Sequence, residues 1–200
     1  GRIIVVGSLS MQGYLDQDVT LVECGETLSQ NIKLGVDFLE AKNPVLVVTS
    51  DIPMLTAKAV TDFLERCEQK PAELHYPVVG KQVNDQVFPG VVRTYVRFKD
   101  GIFTGGNMVM MAPHVIDDCQ AVIQKTVELR KKPFQLVRML GFSFIIKLLL
   151  HRLSLHDIEK QVKKLFGITA ATIISPYPEI GTDVDKPSDW ELAQRVLAKK

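Results

Sequence analysis

Apolar and polar positions follow two rhythms along this 200-residue chain. Arg2-Ile3-Ile4-Val5-Val6-Gly7 reads as a first strand and Val19–Val22 as a second. Val45-Leu46-Val47-Val48 is a continuous apolar run rich in β-branched residues, the mark of a strand buried on both faces in mid-sheet. Between these runs Leu28, Ile32, Val36 and Leu39 recur at helical spacing behind Thr27-Leu28-Ser29-Gln30, which fits a capping box, so 28–40 reads as an amphipathic helix. Val60, Phe63, Leu64 and Cys67 mark a second helix over 57–69, with Thr56 as its cap. Strand–helix–strand–helix in this order argues for parallel βαβ units with right-handed crossovers.

From residue 73 the pattern changes. Residues 73–80 read as a strand and 81–88 as a polar loop. Strands over 91–98 and 102–104 flank Asp100-Gly101, a strong hairpin signal, and 107–111 form another strand. A long helical region is expected from Pro113 to Phe166, broken at Pro133 and Gly141, with Ser154 as a cap and Leu155, Ile158, Val162 and Leu165 facing inward. The run 142–150 is the most apolar, but Lys147 interrupts it and a bilayer span needs about 20 apolar residues. It is expected to be a buried or lid-forming helix. Residues 170–175 form a last strand, and Pro187 opens a terminal helix, a position proline favours. The expected fold class is α/β, a mixed, mostly parallel sheet with helices on both faces, in a single domain.

Composition narrows the class. Apolar residues at 46% and charged residues at 24% are ordinary globular usage. A net charge of +1 gives no footprint for nucleic acid or an anionic membrane. Cys24, Cys67 and Cys119 are sparse and widely spaced, which suggests buried thiols in a reducing compartment. The opening apolar run is too short for a signal peptide, so a cytoplasmic protein is expected. A homo-oligomer is compatible with the sequence.

Three stretches carry candidate chemistry. Asp51, beside Ser50, follows the expected strand 45–49 and precedes the crossover helix, at the sheet edge where ligands bind in open α/β folds; a turn or cap role explains it about as well. Gly181-Thr182-Asp183-Val184-Asp185-Lys186-Pro187-Ser188-Asp189 sets acids before a proline-started helix. The helix dipole accounts for Asp189, but Asp183 and Asp185 at period two on an extended segment point the same way. Gly105-Gly106-Asn107 at a strand entrance is either a bulge or a place of close backbone approach to a ligand. Arg93 and Arg97 share one face of the expected strand 91–98, and arginine suits phosphate, although a solvated face fits nearly as well. Histidines 75, 114, 151 and 156 show no metal spacing, and no hydrolase or metalloprotease signature is present.

Val47-Val48-Thr49-Ser50-Asp51-Ile52-Pro53-Met54-Leu55-Thr56 closely resembles the metal-binding strand end of MobA-like nucleotidyltransferases of the GT-A type. Their D-x-D-x-P-x-D stretch resembles 183–189, and their Gly-Gly-Asn stretch resembles 105–107. The resemblance covers residues 2–199. It lacks the family's first strand and Gly-rich loop, similar to L-A-G-G-x-x-x-R-M, because Gly1-Arg2-Ile3 matches the family's second strand and Gly7-Ser8-Leu9-Ser10 is not that loop.

This resemblance implies Mg²⁺ held by Asp51 and Asp185, which are also its catalytic residues. Substrate contacts would come from Gly105, Gly106, Asn107, Arg93, Arg97 and Ser50. The partners would be a nucleoside triphosphate and a small phosphorylated acceptor, joined as an NDP-linked product with release of pyrophosphate. A non-catalytic nucleotide- or sugar-binding module and a GT-A glycosyltransferase are the alternatives. The metal reading requires 170–185 to return to the sheet edge that carries Asp51.

Overall fold

The computed structural model describes residues 1–118 and 140–198. β1 (Ile3–Gly7) runs through a 3₁₀ turn, Leu9–Tyr14, into β2 (Val19–Glu23), and the two pair in parallel. Helix α1 (Leu28–Leu39) opens with the expected capping box: Thr27 Oγ1 accepts the Gln30 amide, and Gln30 Oε1 accepts that of Thr27. β3 (Val45–Val48) leads to α2 (Ala57–Gln69), whose first turn is closed by Thr56 Oγ1. β4 (Leu74–Gly80), α3 (Lys81–Val87), β5 (Val96–Phe98), β6 (Gly101–Gly105) and β7 (Met108–Met111) follow. Beyond residue 140 come α4 (Phe142–Leu149), α5 (Leu155–Phe166), β8 (Ala170–Ser175), a 3₁₀ turn Pro178–Gly181 and α6 (Pro187–Leu197).

Among the described residues six strands form the main sheet, in the order β3-β7-β4-β6-β5 with β8 on the other edge of β4. β3, β4, β5 and β8 run one way; β6 and β7 run against them. β6 and β7 lie end to end along one edge of β4, separated by Gly106-Asn107. That break hands the outer edge over from β5 to β3, and it is where the site forms.

Side chains of β3 and β7 alternate between two cores, as the pleat requires. Val45, Val47, Val109 and Met111 pack with Val36 of α1 and with Val162 and Phe166 of α5. Leu46, Met108 and Met110 pack with Ala59, Phe63 and Cys67 of α2. The sheet is thus covered on both faces. A third cluster joins Met54, Phe88, Leu192 and Ala193 and seats α6 beneath the loop that follows β3.

Several expectations change. β3 is an edge strand among the described residues: β1 and β2 form their own pair, and Val48 is exposed. Residues 81–87 are helical, and β5 is confined to Val96–Phe98. Helix α4 forms but none of it is buried, with Phe142 and Leu149 each 72% exposed. Among the described residues no helix is long and apolar enough to cross a membrane. Cys67 is buried, which pushes its thiol up to about 11, whereas Cys24 is exposed. Cys119, Pro133 and most of the long helical region expected before 140 lie outside the described residues.

Candidate functional site

Where β3 ends, Ile52 and Met54 plunge into the interior and force Asp51 to the surface between them and the strand. The Thr49 amide donates to the Asn107 carbonyl (3.0 Å), and the Thr49 hydroxyl donates to Asp51 Oδ1. The Asn107 amide in turn donates to the Ile180 carbonyl (2.8 Å), and the Gly106 amide to Pro77 of β4 (2.9 Å). Three distant segments therefore meet at the break between β6 and β7.

Asp183 and Asp185 arrive on the extended stretch between the 3₁₀ turn and α6. Thr182 anchors that stretch from a buried position, its hydroxyl donating to the Pro178 carbonyl (2.8 Å). Farther along, the carboxylate of Asp189, buried in the first turn of α6, accepts the Asp185 amide (3.3 Å). Thr56 ties the turn to α2, its hydroxyl donating to Glu179 (2.9 Å). The Val184 amide closes the construction by donating to the Asp51 carbonyl (2.9 Å).

One oxygen from each of Asp51, Asp183 and Asp185 lies within 4.8 Å of the other two. The hydrogen bond with Asp183, followed by the charges of Asp183 and Asp51, holds the Asp185 carboxyl above its ordinary value. Such crowding is what a divalent cation relieves. Oxygens about 2.1 Å from one cation can be no more than roughly 4.2 Å apart, so carboxylates already within 4.8 Å of one another need only a small approach to share one. Asp51 and Asp185 are thereby brought together as the metal reading requires, with Asp183 beside them.

A cavity of about 330 Å³ opens next to the carboxylates. Thr94, Thr104, Gly105, Asn107, Gly181 and Lys186 line it, as does Arg93. Gly105 and Asn107 thus reach the site. Gly106 lies under it: a Cβ there would stand 2.8 Å from both Ile180 Cγ2 and Pro77 Cγ. Arg93 does not offer a free guanidinium, because Nη1 donates to Asp183 Oδ1 and Nη2 to the Asp183 carbonyl (2.7 Å). Arg97 sits on β5 opposite Ile102 and does not line the cavity, and neither does Ser50, which is exposed. Lys186, Thr94 and Thr104 were not singled out by sequence; for Lys186 the signal was its place between Asp185 and Pro187. A larger cavity of about 740 Å³ lies between the β5–β6 turn and the start of α5, and none of the three acids lines it. Among the described residues no histidine belongs to a cluster that could hold a metal ion.

No protein-family model matches the chain, and no curated protein does. Solved structures do. A hypothetical transferase from Thermus thermophilus is 36% identical, with a TM-score of 0.76, over 85% of this chain and 72% of that one. The 2-C-methyl-D-erythritol 4-phosphate cytidylyltransferase of Francisella tularensis aligns at 11% identity and TM-score 0.54, over 92% of this chain and 74% of that one. A 4-diphosphocytidyl-2C-methyl-D-erythritol synthase aligns at 13% and 0.54, over 97% and 80%. At these identities the last two show the fold alone, a mixed α/β sheet with helices on both faces that this chain shares with them. With more than a third of its aligned residues shared across most of both chains, the protein belongs to the family of the Thermus thermophilus transferase.

Proposed function

We propose that this protein is an Mg²⁺-dependent nucleotidyltransferase of the MobA-like kind, joining the NMP of a nucleoside triphosphate to a phosphorylated acceptor. The observation that carries the reading is the convergence of Asp51, Asp183 and Asp185 beside a polar cavity at the end of β3. An acceptor phosphate oxygen attacks the α-phosphorus in line, the bond from that phosphorus to the bridging oxygen breaks, and pyrophosphate leaves with the electron pair. Asp51 and Asp185 would hold Mg²⁺, and the ion would neutralise the triphosphate and the departing charge when bound. What this chain's residues contribute is placement, which carries much of the catalysis in phosphoryl and nucleotidyl transfer. Asn107 and the Gly105 backbone seat the acceptor, and the Asn107 main chain fixes that seat to β3 and to the Ile180 turn. Lys186, lining the same cavity, offers a cation to a phosphate.

The test is pyrophosphate release from each of the four NTPs with Mg²⁺ and a panel of phosphorylated acceptors. Release that Asp51→Asn abolishes supports the reading. Release of NDP from a sugar nucleotide instead would make the protein a glycosyltransferase, and nucleotide binding without turnover would make it a binding module.

A further inference from the structure

The Arg93–Asp183 pair is built unlike the rest of the site. The Arg93 side chain is only 9% exposed, and its two terminal nitrogens grip both the carboxylate and the carbonyl of Asp183. Its Nε is buried and has no partner among the described residues. A buried ion pair of this sort adds little net stability compared with apolar packing. Its consequence lies instead in what it does to Asp183. With Oδ1 taken by Nη1 and the residue clamped by the bond from Nη2 to its carbonyl, the Asp183 carboxylate is neutralised from within the protein and is a poor ligand for a cation.

We propose that Arg93 is a positioning residue that withholds Asp183 from the bound cation, so that only Asp51 and Asp185 ligate it. This rests on the metal site of the proposed function. Of the six positions around an octahedral Mg²⁺, two aspartates leave about four for phosphate oxygens and water, and a third would remove one of them. It would also tighten the ion against release, since affinity rises with the number of charged ligands.

The test uses Mn²⁺ alone, titrated into the metal-free protein, with free Mn²⁺ followed by electron paramagnetic resonance. Arg93→Met keeps an unbranched apolar stem, removes the charge and frees Asp183. Mn²⁺ should then bind about tenfold more tightly, as expected for one more charge within a few ångströms of the ion, while kcat falls and the KM for NTP changes little. Adding Asp183→Asn to Arg93→Met should return Mn²⁺ affinity to within about threefold of wild type. A residue that merely braced the loop would give the opposite sign. Weaker Mn²⁺ binding in Arg93→Met, not restored by the second substitution, overturns the proposal and leaves the metal reading standing. A wild-type protein that binds no Mn²⁺ overturns both. Should Arg93→Met fail to fold, Asp183→Asn alone decides: near-wild-type affinity supports the proposal, and a tenfold loss overturns it.

Discussion

The backbone amide of Val184 donates to the backbone carbonyl of Asp51 at 2.9 Å. This single hydrogen bond joins the residue between two acids of one loop to the acid of another, 133 positions earlier in the chain. It makes the carboxylate cluster a property of the backbone, fixed before any side chain chooses a rotamer. Isosteric amides at these positions should therefore change the chemistry without moving the loops.

Asp51→Asn and Asp185→Asn should each reduce turnover by roughly 100-fold or more, the usual scale for losing a group that stabilises transition-state charge. Asp183→Asn should be milder. Because neighbouring carboxylates disfavour ionisation of Asp185, Asp185→Asn should melt no lower than wild type in metal-free buffer. Thermal melts beside steady-state rates check this. A variant that loses activity only in step with its melting temperature would point to folding instead of chemistry.

Asn107→Ala should raise the acceptor KM or lower kcat and leave NTP affinity nearly unchanged. Asn107 lines the cavity, and its main-chain bonds to Thr49 and Ile180 survive the substitution. Separate titrations of nucleotide and acceptor decide it. A large loss confined to NTP affinity would refute the assignment.

The paired glycines separate by what surrounds them. A Cβ on Gly106 meets Ile180 and Pro77 at 2.8 Å and the Pro77 carbonyl at 3.2 Å, all fixed by the sheet. Overpacking of this sort costs about 1–3 kcal/mol, so Gly106→Ala should lower the melting temperature by several degrees. A Cβ on Gly105 meets chiefly the hydroxyl end of Tyr76, a half-exposed side chain that can swing aside. Gly105→Ala should be the milder change by calorimetry, and equal losses would contradict this packing.

Glu73 accepts from the Thr169 amide (2.6 Å) and the Thr169 hydroxyl (2.7 Å), and lies 3.0 Å from His114 Nε2. These bonds, the Thr169 amide first, lower its carboxyl from 4.5 to about 2. A depressed folded-state value means stability present above 4.5 that drains away as pH falls toward 2. Glu73→Gln should melt below wild type at neutral pH, with the gap closing on acidification through that window. A gap that stays constant down to pH 2 would contradict the linkage.

Local signals in the sequence led to local features. The capping residues Thr27, Thr56 and Ser154 stand where their helices begin, and Asp100-Gly101 makes the tight β5–β6 turn. Helix α3 escaped because Val83 and Val87 are too few to show a period in Lys81–Val87. The alternating run 91–98 read as one strand, yet only its last three residues pair; Arg93 leaves the sheet for Asp183, ninety positions away. No spacing rule sees such a partner. The mid-sheet reading of β3 failed for a similar reason, since an apolar β-branched run does not say which strands flank it. The meeting of Asp51 and Asp185 was legible through topology, because both must reach one sheet edge; the metal role given to them rests on motif resemblance.

Anomalous diffraction from crystals soaked in Mn²⁺ tests the central claim most directly. The account predicts one peak ligated by Asp51 and Asp185 at about 2.1–2.2 Å, beside the Asn107 cavity, with Asp183 still held by Arg93. A well-diffracting soak with no peak between those two carboxylates, or a peak elsewhere on the chain, would contradict it.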